Sequence, residues 1–130
     1  MSGEEREEDG RDAGLGLLVE ALRRFAGERD WEQFHSPKNL ASALIVEAAE
    51  LLEHFQWLTE DESRALPEAT REAVAGEMAD VLLYLLQLAD KLGVDLVPAA
   101  QRKLAFNELR YPVASAKGSA KKAGRSDPQR

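Results

Sequence analysis

Apolar residues recur every three or four positions along most of residues 15–112, the spacing of helices with one buried face. The first predicted helix runs from about Leu15 to Glu28, with Leu15, Leu18, Leu22 and Phe25 on one face. A connector, RDWEQFHS, follows over 29–36. Ser36 and Pro37 are an N-cap and a first-turn proline, and they predict a second helix reaching about Leu58. Its apolar positions are Leu40, Leu44, Ala48, Leu51, Phe55 and Leu58. The polar stretch TEDESRALP separates it from a third helix, from Pro67 to about Lys91, which Gly93 ends. A fourth runs from about Leu96 to Leu109, with Pro98 tolerated in its first turn and Tyr111-Pro112 closing it. No segment alternates with period two over a useful length, so strands are not expected. The expectation is all-α, with four helices.

The second and third helices carry the same pattern, offset by 30 residues. Leu44, Glu47, Glu50, Leu51 and His54 on one match Val74, Glu77, Asp80, Val81 and Tyr84 on the other. At about 100° per residue, Glu47 sits about 60° from the Leu44–Leu51 seam and Glu50 about 120° round on the same side. Glu77 and Asp80 take equivalent places beside Val74 and Val81. Each helix therefore has two acids one turn apart along the border of its apolar stripe. Packed antiparallel along those seams, the helices bring four carboxylates together, and four such charges need a cation. All-oxygen ligands favour magnesium, manganese or calcium, and magnesium is commonly shared with substrate phosphates. A single pair of acids at i, i+3 is ordinary on a solvated face. Glu53, about 180° from the seam, is read as such a surface residue.

Composition narrows the chemistry. The chain of 130 residues is one domain's worth and has no cysteine, which removes disulfides, thiolate zinc sites and a thiol nucleophile and fits a cytoplasmic setting. No apolar run approaches the roughly 20 residues of a membrane span, so no membrane partner is expected. The first 14 residues carry six acids and two arginines and read as a disordered acidic tail. Residues 113–130, with five bases and Asp127, read as a disordered basic tail. The folded part, 15–112, is thus acidic, which argues against binding duplex nucleic acid but not against a metal-bound polyphosphate. Only one histidine, His35, follows a glutamate by three, and a di-iron bundle needs such a pair on each of two helices, so that pattern is absent.

Candidate lining groups flank the acids. Trp31, Phe34 and His35 lie in the connector, Trp57 near the end of the second helix, and Tyr84 in the third. Lys103, Asn107 and Arg110 follow at i, i+4, i+7 on the fourth, with Tyr111 next. Aromatic faces can stack on a base, asparagine can read a base edge, and lysine and arginine can hold phosphates.

Taken with their flanking text, these motifs resemble a known family. Glu47-Ala48-Ala49-Glu50 and Glu77-Met78-Ala79-Asp80 match the paired acidic motifs of the all-α nucleoside triphosphate pyrophosphohydrolases, the MazG-like group. ERDWEQFHSPKNL (28–40), AAELLEHFQWLTED (48–61), EMADVLLYLLQLAD (77–90) and KLAFNELRYP (103–112) resemble its dCTP pyrophosphatase branch. The resemblance implies a four-helix-bundle protomer oligomerising through helix packing, as a homodimer or homotetramer. It implies that Glu47, Glu50, Glu77 and Asp80 hold Mg2+, with Mn2+ as a substitute, and that dCTP is cut to dCMP and pyrophosphate. Glu50 is the candidate proton acceptor. Trp31, Glu32, Gln33, Phe34, His35, Lys38, Asn39 and Trp57 would line the nucleotide site, with Tyr84, Lys103, Asn107, Arg110 and Tyr111. Animal members have a histidine where this chain has Leu22, a departure that bears on substrate preference. Two other readings fit the residues: the same chemistry with a broader nucleotide range, and a non-catalytic helical module that binds a partner through an apolar face.

Overall fold

A computed structural model describes residues 3–122, with side chains described from Gly14 onward. Helix α1 spans Gly3–Glu28 and a 3-10 turn spans Glu32–Phe34. Then come α2 (Pro37–Glu53), α3 (Glu60–Arg64), α4 (Glu68–Leu92), α5 (Leu96–Arg110) and α6 (Val113–Ala116). Among the described residues there is no strand, and the four long helices are those the apolar period predicts. The chain divides into two compact units, one ending at Val94 and the other beginning at Asp95.

Several boundaries differ from expectation. Helix α1 starts at Gly3, inside the segment 1–14 read as a tail, and α6 lies inside 113–130. Residues 3–14 carry no apolar period and α6 is a single four-residue turn, so an apolar period finds neither. The rest of the expected tails, residues 1–2 and 123–130, lies outside the described residues. Helix α2 stops at Glu53 rather than Leu58: His54 donates its backbone N–H to Leu51 and Leu52, and turns carry the chain to Trp57. The cause lies just beyond. Thr59 is extended (φ −72°, ψ 165°) and caps α3, so the chain must leave the helix before it. Its Oγ1 accepts from the Glu62 N–H at 3.1 Å while the Glu62 carboxylate accepts from the Thr59 N–H at 2.9 Å. That capping box makes a short helix of a stretch read as connector.

In the first unit α2 and α4 form the main helix pair, with α1 against α4. Leu40, Val74, Leu86, Ala89 and, from α1, Ala26 are the buried apolar side chains. Ser36 caps α2, its Oγ accepting from the Asn39 N–H at 3.2 Å. Gly93 ends α4 in the left-handed region (φ 66°), where its lack of a Cβ removes the strain. Arg23 of α1 grips Asp90 of α4 with two bonds, Nε to Oδ2 at 2.9 Å and Nη2 to Oδ1. The second unit contains α5 and α6.

Candidate metal centre

The acids that matter come from the middle of α2 and the first half of α4. Ligand oxygens of Glu47, Glu77 and Asp80 all lie within 4.8 Å of one another. Glu47 and Glu77 are half-buried and Asp80 is exposed. Asp80 and Glu77 run backwards along α4 as their neighbours on α2 run forwards from Glu47 to His54, the order of antiparallel helices. Glu50, expected as a fourth ligand, is not among those three; it lies one turn further along α2 from Glu47. Burial pushes the Glu47 carboxyl above its ordinary range, and the neighbouring carboxyls of Glu50, Asp80 and Glu77 push it further.

The donor set fits a divalent cation. Oε2 of Glu47 and Oε2 of Glu77 are buried and have no hydrogen-bond partner. A buried carboxylate oxygen without a donor carries the full cost of leaving water. A cation among three carboxylates removes that cost and their mutual repulsion together, and the all-oxygen set suits magnesium or manganese. His54, left out of the expected ligands, comes close to the cluster: its Nε2 lies 3.8 Å from Glu77 Oε1. The signal was present, since His54 lies four residues after Glu50.

Further along α4 the same unit has a shallow cleft, open to solvent. Leu22, Glu32, His35, Leu86, Gln87 and Asp90 are among its lining residues. Gln87 follows Asp80 by seven residues, so it lies on the same face of α4 and about 10 Å along the axis. Tyr84, half-buried, stands between them. Glu32 and His35 were expected at a nucleotide site; Gln87 was not, because on sequence it belongs to an apolar run.

The other expected lining residues have varied surroundings. Trp31 packs its edge on Phe25, with ring centroids 5.6 Å apart. Phe34 is exposed, and Trp57 is 87% exposed. Gln33 donates to the backbone and carboxylate oxygens of Asp30, both at 3.0 Å. Asn39 donates to the Phe34 carbonyl at 2.9 Å. Those two amides therefore fasten the 3-10 turn, a duty the spacing did not reveal. Lys38 is exposed. Lys103, Asn107, Arg110 and Tyr111 belong to the second unit. There Lys103 Nζ sits 4.9 Å from the Phe106 ring centroid, and the Arg110 guanidinium sits 5.5 Å from that of Tyr111. Asn107 accepts the Tyr111 N–H at 2.8 Å. Arg110 also has Nε and Nη2 buried without a hydrogen-bond partner.

Comparison with known proteins follows the same residues. The profile of the MazG-like family matches residues 43–125, a span that includes all four acids. The chain is 47% identical over 108 residues to dCTP pyrophosphatase 1 of Mus musculus, covering 78% of this chain and 64% of that protein. It is 46% identical over 110 residues to dCTP pyrophosphatase 1 of Homo sapiens, covering 80% and 65%. The chain thus matches somewhat under two thirds of the length of these relatives. A pyrophosphatase crystal structure from Archaeoglobus fulgidus aligns with a TM-score of 0.73 at 42% identity, covering 76% of this chain and 93% of that one. With its paired acids on neighbouring helices and a family match over most of its folded length, the chain belongs to the MazG-like family.

Proposed function

We propose that the chain is a magnesium-dependent nucleoside triphosphate pyrophosphohydrolase that converts dCTP, and modified dCTP, to dCMP and pyrophosphate. The observation that carries this reading is the triplet Glu47, Glu77 and Asp80, with two buried carboxylate oxygens lacking any donor. The substrate is carried over from the names of the relatives, dCTP pyrophosphatase 1.

In the proposed reaction water adds to the α-phosphorus and the bond to the β-phosphate oxygen breaks. A bound Mg2+ supplies charge neutralisation at the phosphates and a more acidic water. Mn2+ serves as a substitute. Glu47, Glu77 and Asp80 would hold the cation, and Glu50, one turn along α2 from Glu47, would take the proton of the attacking water. The nucleoside is assigned in this reading to the cleft around Glu32, His35 and Gln87, and what supports it is that the cleft lies on the same side of α4 as Asp80. Within the second unit, the two unpartnered donors of Arg110 suit an anion. Nucleotide-pool cleaning in the cytoplasm is the proposed role. A homodimer or homotetramer is the proposed assembly, since Ile45, Leu52, Met78, Leu82 and Leu85 are all exposed on α2 and α4.

The test is a panel of common triphosphates with magnesium, the products separated by chromatography. Pyrophosphate and dCMP should appear, with the highest kcat/KM for dCTP. Orthophosphate as the first product, or full activity in excess EDTA, refutes the reaction. Equal rates across the panel refute the cytidine preference alone.

A further inference from the structure

We infer that His54 is a positioning residue for the metal centre: it engages one oxygen of Glu77 and so presents the other to the cation. This rests on the metal reading above. The two oxygens of Glu77 have different surroundings. Oε1 faces His54 Nε2 at 3.8 Å, whereas Oε2 is buried with no partner. The Glu77 carboxylate also belongs to the triplet with Glu47 and Asp80. One oxygen is therefore left for a cation while the other faces the imidazole, whose Nε2 can donate to it on a small rotation.

At 3.8 Å the two atoms lie just beyond hydrogen-bond distance, and a small side-chain rotation or one bridging water would connect them. The imidazole is held in place by the end of α2. His54 is the residue at which the helix stops, and its backbone N–H is committed to Leu51 and Leu52. Both side chains are largely shielded, His54 at 28% exposure and Glu77 at 23%, so solvent does not freely replace either partner. Groups that orient a ligating carboxylate in this way commonly change metal affinity by about 10–100-fold when removed. His54 itself lies outside the acidic triplet, so its effect runs through Glu77.

The experiment is a Mn2+ titration of the full chain without nucleotide, read by electron paramagnetic resonance. His54→Leu should weaken Mn2+ binding about 10-fold or more. His54→Gln, whose amide can donate to the same oxygen, should stay within about threefold of the unsubstituted chain. Far-ultraviolet circular dichroism and thermal melts accompany each variant. If His54→Leu does not fold, His54→Asn replaces it, since its shorter amide does not reach Glu77 and should bind Mn2+ weakly. A leucine variant that binds Mn2+ as the unsubstituted chain does overturns the inference. So does a glutamine variant as weak as the leucine or asparagine variant. An unsubstituted chain that takes up no Mn2+ overturns the metal reading and this inference with it. Absent pyrophosphate release with Mn2+ binding intact counts against the proposed reaction and leaves His54's role standing.

Discussion

Glu50 and Glu53 stand three residues apart on α2, yet only Glu50 touches the acidic cluster; Glu53 is exposed, as its angle from the seam predicts. Individual acids therefore have separable duties. Asp80→Ala or Glu47→Ala should lower turnover on the order of 100-fold or more, the scale of losing one group that stabilises transition-state charge. Helical circular dichroism should stay close to that of the unsubstituted chain, since Asp80 is exposed and Glu47 adds a repulsive charge to the fold. Loss of helicity in both variants would instead make the acids structural. The Arg23–Asp90 pair gives a second prediction. The Arg23 guanidinium holds the Asp90 carboxyl below its ordinary range, through the hydrogen bonds first and against the cost of burial. A carboxyl depressed in the folded state stabilises the fold above its unfolded pKa and loses that contribution as pH falls through the folded one. Asp90→Asn should therefore lower Tm near neutral pH, and the gap from the unsubstituted chain should close as pH falls below about 4. A gap unchanged between pH 7 and pH 3 would rule out the ion pair as its source.

At the scale of elements, boundaries marked by a local cap residue were legible. Ser36-Pro37 places the start of α2 and Gly93 the end of α4, the first through a side-chain acceptor and a fixed φ, the second through its left-handed backbone. The end of α2 was missed because Phe55 and Leu58 continue the apolar period through turns, and periodicity cannot tell a final helical turn from a tight loop on the same side. The signal that overrides it, Thr59-Glu60-Asp61-Glu62, was in the sequence but lay in a stretch polar enough to be read as connector. The consequence reaches the site, since ending α2 at Glu53 makes His54 a cap residue beside Glu77. The start of α2 can be tested directly. Ser36→Ala removes the acceptor of the Asn39 N–H and should cost about 1 kcal/mol in chemical denaturation. Ser36→Asp should recover most of it.

For the whole molecule, the first unit buries few large side chains and leaves apolar ones open along two helices. Met78, Leu82 and Leu85 recur at i, i+4, i+7 on α4, and Ile45 and Leu52 at i, i+7 on α2. Single exposed leucines are ordinary, but two stripes on the helices that carry the acids fit the proposed assembly. The chain should sediment as a dimer or tetramer, and Leu82→Glu or Ile45→Glu should shift it toward the monomer. An unchanged sedimentation coefficient in both would remove these faces from the interface. The sequence by itself determined the four long helices, the matched acids beside two apolar seams and the family likeness. All of these follow from local period and residue order. Only the tertiary structure decided that Glu47, Glu77 and Asp80 converge, and that His54 Nε2 comes within 3.8 Å of Glu77 Oε1. The reason is geometric: period fixes the angle of a residue about its own helix, whereas convergence depends on how far one helix is shifted and tilted against its neighbour, which packing across α2 and α4 sets.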